Sequence, residues 1–272
     1  MLEHVPGAQF DPVRRPPGYE CWHERYAFDI AGWDGTPHRY RMFRDGPDGR
    51  PPFWTYRRLS IDPDLMLLNW VSNDYVDSSL VHEPTRARRE ARDQTLGFIH
   101  WLQSEAPHDD GPGRGFRSLR LRPDVAGTVD GLAAAPYVRE SRRLRIARPV
   151  TAHDIAPVTG RARAAQIPDS VGVAHYHADL HPRVGAISTV FAPTAPFHLP
   201  LRSLVADRPD NLVVAAKNLG ATQVAAAAFR VHSGEWAIGE AAGTLAAHCV
   251  RNGVKPSAVR DDPPARRTFS AP

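Results

Sequence analysis

The stretch from Pro200 to Gly253 constrains the fold more than any other part of the chain. It opens on Pro200-Leu201-Arg202-Ser203-Leu204 and reaches the turn-forming Asp210-Asn211. A short apolar run follows, Leu212-Val213-Val214-Ala215-Ala216, and predicts a buried strand. A small-residue loop from Asn218 to Ala228 comes next, then Phe229-Arg230-Val231. The segment ends in a helix from about Glu235 to Arg251, closed by Asn252-Gly253. Gly239 and Gly243 form a G-x-x-x-G pair on one helical face. Such a face permits tight packing against a sheet. It equally permits a flat cofactor to approach the N–H groups of the first helical turn, whose partial positive charge favours an anion or an electron-rich carbonyl.

Other elements are readable upstream. Pro84 to Ser104 predicts a helix, with Ala87, Ala91, Thr95, Phe98 and Leu102 on one face. Pro107 and the run Asp109 to Gly115 end it, and Gly111, Gly113 and Gly115 read as a flexible loop. Leu65 to Trp70 and Val171 to Tyr176 read as strands. Leu119 and Leu121 alternate with Arg120 and Arg122, and Leu144 and Ile146 with Arg143 and Arg145, so two further strands carry arginine on one face. Like charges opposed across a sheet repel. Those arginines therefore face solvent by default, pair with acids such as Glu140, or face an anionic ligand. The mixture implies an α/β or α+β fold with a substantial sheet. Residues 1–20 are proline-rich and show no strand or cap, so they are expected to be disordered or extended, and the polar tail 257–272 to be flexible.

Composition narrows the class. With 272 residues and 42% hydrophobic content the chain can build a sizeable core. Net charge is +4, but of 34 basic residues only Lys217 and Lys255 are lysines, and 30 acids oppose them. Scattered arginine of this kind argues against nucleic-acid binding. The longest apolar run, Val224 to Phe229, is far short of a membrane span, and Met1 to Pro12 lacks the basic and apolar regions of a secretory signal. Cys21 and Cys249 form no CxxC, which fits reduced thiols in a cytoplasmic setting.

His175-Tyr176-His177 and His181 give H-x-H-x3-H. Imidazoles in this pattern could ligate a metal, with Asp179 orienting one of them, which would make a metal-dependent hydrolase. Ordinary histidines at the end of a strand are the preferred reading, and no metal site is assigned. The sequence contains no G-x-S-x-G, no Walker A motif and no G-x-G-x-x-G.

Several ordered segments resemble the FAD-dependent oxidoreductases. They are Ala135-Pro136-Tyr137-Val138-Arg139-Glu140-Ser141-Arg142-Arg143, Asp169-Ser170-Val171-Gly172-Val173 and Asp179-Leu180-His181-Pro182. The terminal set is Asn211-Leu212-Val213-Val214-Ala215, Gly220-Ala221-Thr222, Phe229-Arg230-Val231 and Gly239-Glu240-Ala241-Ala242-Gly243. Leu67-Leu68-Asn69-Trp70, Asn73-Asp74-Tyr75 and Trp101 to Pro107 also fit, so the likeness spans about 53–253. It implies FAD as cofactor and a small-molecule substrate. Asn218, Ala221 and Thr222 would lie along the ribityl chain, Ile238 and Gly239 would be closest to the flavin ring, and Arg230 would join the cofactor site. Arg139, Asp179 and His181 would lie on the substrate side. Gln223 departs from the histidine usual in the family, as does Ala216-Lys217 from its glycine and arginine.

The resemblance implies a mixed-sheet substrate-side domain over 21–205 and, over 206–256, the strand and helix of an incomplete FAD/NAD(P)-binding Rossmann-like domain. The glycine-rich diphosphate-binding half would then come from a companion chain or a missing segment. A flavin-free, degenerate binding or scaffold protein is the alternative.

Overall fold

The computed structural model describes residues 1–31, 36–140, 142–185 and 189–270. Ser141, in one of the resembling segments, and Ala271 and Pro272 of the tail lie outside the described residues. The chain is a mixture of helices and small sheets, and divides into two compact units. One comprises Met1–Tyr137 with His181–Thr189, the other Val138–Leu180 with Val190–Pro272.

In the first unit the elements are β1 (Leu2–His4), α1 (Tyr19–Trp22), β2 (Ile30–Ala31), β3 (Pro37–His38), α2 (Phe53–Tyr56), β4 (Arg58–Ile61), β5 (Asp64–Met66), α3 (Pro84–Ser104), β6 (Leu119–Leu121) and α4 (Pro123–Ala126). An antiparallel sheet runs in the order β4-β5-β1-β6. The expectation of no strand within residues 1–20 is thus corrected, because β1 sits inside this sheet. Its two-residue alternation explains the fit. Leu2 pairs with Met66 and Leu121 and is fully buried, whereas Glu3 lies opposite Arg120. Arg120 Nε reaches Glu3 at 2.6 Å and Arg122 Nη1 at 3.1 Å, so both arginines pair with an acid, and Arg120 also stays exposed to solvent. Burial pushes the Glu3 carboxyl up, but the two guanidiniums outweigh it and hold it below its ordinary value.

Helix α3 has the expected bounds. Ala87, Phe98 and Leu102 of its apolar face are buried, and the Phe98 ring stacks on Trp101 with centroids 5.6 Å apart. Phe53, Trp54 and Trp70 complete this core. Its buried Gln103 is satisfied twice, accepting from Val13 N–H and donating to the Leu119 carbonyl, which pins the proline-rich segment. The chain reverses after α3 at Gly115, where φ is +77° and a Cβ would lie 2.5 Å from the Gln103 carbonyl oxygen.

The second unit contains α5 (Ala152–Ile155), β7 (Ser170–Ala174), β8 (Ala178–Leu180), β9 (Val190–Ala192), β10 (Phe197–Pro200), α6 (Gln223–Phe229), α7 (His232–Asn252), α8 (Pro256–Asp261) and α9 (Pro263–Ser270). β7 pairs with β10 and β8 with β9, both antiparallel. Phe197, Leu199, Phe229 and Ile238 centre its main core, and Leu201, Leu245, Cys249 and Val259 form a smaller one.

Four expectations change here. The strand at Leu212–Ala216 reduces to one antiparallel bridge, Val205 with Val213, because its partner turns away at Asp207–Asp210. The small-residue loop is largely α6: alanine is the best helix former, and Ala225 to Ala228 supply a turn of it. Leu144 and Ile146 belong to no strand. Ala147 N–H is spent on the Asp207 carboxylate and Pro149 has no N–H, so the pairing stays partial. The tail forms α8 and α9.

Candidate flavin and substrate site

Arg230 occupies the joint between α6 and α7. Its Nη2 donates to the Asp179 carboxylate at 2.6 Å and to the Asp179 carbonyl at 2.9 Å. The pair is largely buried, with Arg230 at 8% and Asp179 at 19% side-chain exposure. Tyr176 O–H also donates to Asp179, at 3.3 Å. This anchoring fixes the guanidinium in one orientation, yet Arg230 Nε is buried with no acceptor. A buried, charged donor without a partner is costly unless a ligand supplies one.

Helix α7 starts at His232, a turn earlier than expected. Gly234 allows the tight reversal from α6, since a Cβ there would lie 3.0 Å from the Phe229 carbonyl oxygen. Glu235 N–H bonds to the Val231 carbonyl, so the unpaired donors of the helix are those of the residues just before it. The N-cap, Val231, provides no side-chain cap. Ile238 and Gly239, expected closest to the ring, lie deeper in the helix, and Ile238 is core. The G-x-x-x-G pair does not pack as a unit: Gly239 approaches the Ala215 carbonyl, whereas nothing lies within 4 Å of a Cβ placed on Gly243.

The remaining expected cofactor residues pair with the arginine-rich segment. The Asn218 carbonyl accepts from Leu144 N–H at 2.8 Å. Val150 N–H donates to the Gly220 carbonyl, Thr222 N–H donates to the Val150 carbonyl, and Arg143 Nε donates to the Ala221 carbonyl at 3.0 Å. Arg142, Arg143, Arg145, Ile146 and Ala221 line an open groove of about 310 Å³. Of the readings open for the second arginine-faced segment, Arg142 and Arg145 are exposed as the default has it, and Arg143 serves the Ala221 carbonyl. Glu140 Oε1 is buried without a partner in the same unit.

Three substrate-side residues were expected, and the structure gives them different partners. In the second unit Asp179 serves Arg230. In the first unit, His181 Nδ1 donates to Asp74 Oδ2 at 2.5 Å, with His181 at 22% and Asp74 at 12% exposure. A carboxylate on Nδ1 fixes the tautomer and the ring orientation. Arg139 is half-buried in the second unit. Asp74 is the partner of His181 that spacing alone missed. It stands in the Asn73-Asp74-Tyr75 segment, but nothing local joins it to a histidine so far along the chain.

The histidine pattern does not form a metal centre. His175 Nε2 donates to the Thr194 carbonyl, His177 stacks on Phe191 with centroids 4.5 Å apart, and His181 is held by Asp74. Among the described residues no three His, Cys, Asp or Glu side chains converge as metal ligands. Among the described residues, too, no helix is long and apolar enough to cross a membrane.

A buried cation with a spare donor, an uncapped helix start adjoining it in sequence and an arginine-lined groove are features that suit an anionic or carbonyl-bearing ligand. The model of the family described as FAD dependent oxidoreductase matches residues 8–268, and the chain belongs to that family. FAD is therefore its cofactor type. No curated protein and no solved structure matches the chain.

Proposed function

We propose that the chain is the C-terminal portion or a subunit of an FAD-dependent oxidoreductase acting on a small organic substrate. On this reading residues 206–256 complete a Rossmann-like flavin domain whose glycine-rich part comes from a companion chain or segment. The orphaned Arg230 Nε carries the proposal. It lies beside the start of α7, so guanidinium and helix dipole offer positive potential to the same kind of group, an electron-rich carbonyl or anionic ring. The residues present fit the cofactor. Arg230 and the first turn of α7 would hold its ring edge, and Arg142, Arg143 and Arg145 its anionic diphosphate side. FAD when bound supplies the two-electron acceptor or donor.

The chain's own residues then do the rest. Asp179 holds Arg230 in place and balances its charge. In the first unit Asp74 orients His181, whose imidazole is of the type suited to proton transfer. Arg139 orients a substrate anion.

The test is the visible spectrum and thermal stability of the purified chain with added FAD, alone and after co-expression with a chain carrying the G-x-G-x-x-G segment. A flavin band and a raised melting temperature are expected in at least one preparation. Arg230→Ala should weaken FAD binding about tenfold or more, since a hydrogen bond to a charged group contributes about 1.5–3 kcal/mol. Colourless protein with no FAD-dependent shift in both preparations would leave a flavin-free binding protein as the correct reading.

A further inference from the structure

A second cavity in the second unit, about 370 Å³, is lined by none of the residues assigned above to the flavin or the substrate. Its charged lining is Arg148, Arg202, Arg260 and Arg266 against Asp169, Asp207 and Asp261. The three acids are already engaged. Asp169 accepts from Arg202 N–H at 3.0 Å and from Arg202 Nη1 at 2.5 Å. Asp207 accepts from Ala147 N–H and from Arg260 Nη1. Asp261 accepts from Arg260 Nε at 2.7 Å and Nη2 at 2.8 Å.

That leaves Arg148 and Arg266 outside these ion pairs, and four arginines against three acids give the lining one net positive charge. Among the described residues no carboxylate lies within ion-pair distance of either, and Arg266 Nε is buried with no partner. The hydrogen bonds from Arg260 hold the Asp261 carboxyl below its ordinary value against burial, and the charges of Arg266 and Arg148 add to this, so both guanidiniums stand near one acid. The arginines arrive from four different stretches of chain: the loop before α5, the turn after β10, α8 and α9. A planar carboxylate uses one guanidinium fork well. Donors converging from several directions suit the oxygens of a tetrahedral anion. The volume falls in the range of small-molecule sites, roughly 300–1,000 Å³.

We propose that this cavity binds a phosphate group, free or as the monoester of a small molecule, through Arg148 and Arg266. The site does not depend on the flavin reading, because no residue assigned to FAD contributes a charge to it.

Thermal unfolding and isothermal titration of the full chain would be measured with inorganic phosphate and, separately, with adenosine monophosphate, against chloride at equal ionic strength. A phosphate-specific rise in melting temperature is expected. Arg148→Gln and Arg266→Gln should each weaken binding about tenfold, the loss expected for a charge-assisted hydrogen bond. Arg148 is exposed, so its variant folds even if that of Arg266 does not. Tighter binding of the monoester than of the free anion would identify a phosphorylated ligand, and the reverse the free ion. No shift beyond chloride, or a shift unchanged in Arg148→Gln, would overturn the proposal. FAD binding by the same variants, read from the flavin band, should be unaltered, so failure here and failure of the flavin reading are separable.

Discussion

Glu105, just past the last turn of α3, gathers more partners than any local pattern discloses. Tyr19 O–H donates to it at 2.9 Å, His23 Nε2 at 2.8 Å and Arg15 Nη2 at 3.1 Å. Burial pushes its carboxyl up, but the hydrogen bonds from Tyr19 and His23 and the charges of His23 and Arg15 outweigh that, and it ends below the ordinary value. A depressed carboxylate stabilises the fold above its unfolded pKa, about 4.3. The contribution is lost as pH falls through the lower, folded pKa. Glu105→Gln is therefore expected to cost on the order of 1 kcal/mol near neutrality, and the gap to the parent should close below about pH 4. Urea denaturation at a series of pH values checks this, and a gap constant from pH 3 to 7 would refute it. The sequence places Glu105 in a recognisable segment, but its partners lie more than 80 residues earlier, so its role was not readable there. The same distance hid the Asp74–His181 pair. Arg230 was legible as a cofactor residue through resemblance, whereas its dependence on Asp179 was not.

At the scale of elements, the long helices and the strands β5, β6 and β7 were legible, whereas the other short strands were not. α3 and α7 carry their own evidence in apolar periodicity, a proline start for α3 and a glycine stop for α7. The bridge at Val213 depends on a partner whose course periodicity cannot give. α6 was hidden because its alanines suit both a loop and a helix. Two glycines of α7 have opposite expected effects. Gly253 is the C-cap at φ +63°, so Gly253→Ala should destabilise by roughly 1–2 kcal/mol. Gly243 is exposed within the helix with open space at its Cβ position, so Gly243→Ala should stabilise by roughly 0.5–1 kcal/mol. Thermal melts of the two variants decide it. A destabilised Gly243→Ala would mean that this face is covered in the assembled protein, as the packing reading of the G-x-x-x-G pair requires.

At the scale of the whole molecule, each unit has a core of its own, and the tryptophans are divided unevenly between them. Trp22, Trp54, Trp70 and Trp101 belong to the aromatic core of the first unit. Trp236 in the second is 78% exposed. The sequence could not give this division, because β1 reaches its partners β5 and β6 only after long stretches of chain, and the resembling segments run across both units. The uneven placement makes intrinsic fluorescence a reporter of the first core, while far-ultraviolet circular dichroism reports helices in both. Phe98→Ala should cost about 3–5 kcal/mol and lower the fluorescence midpoint, since Phe98 stacks on Trp101. Phe229→Ala removes a fully buried ring from the other core and should cost a similar amount. Its loss should register in the dichroism before the emission changes, because α6 and α7 melt around it while the aromatic core stays packed. Coincident transitions by both probes in both variants would show instead that the two cores unfold as one cooperative unit.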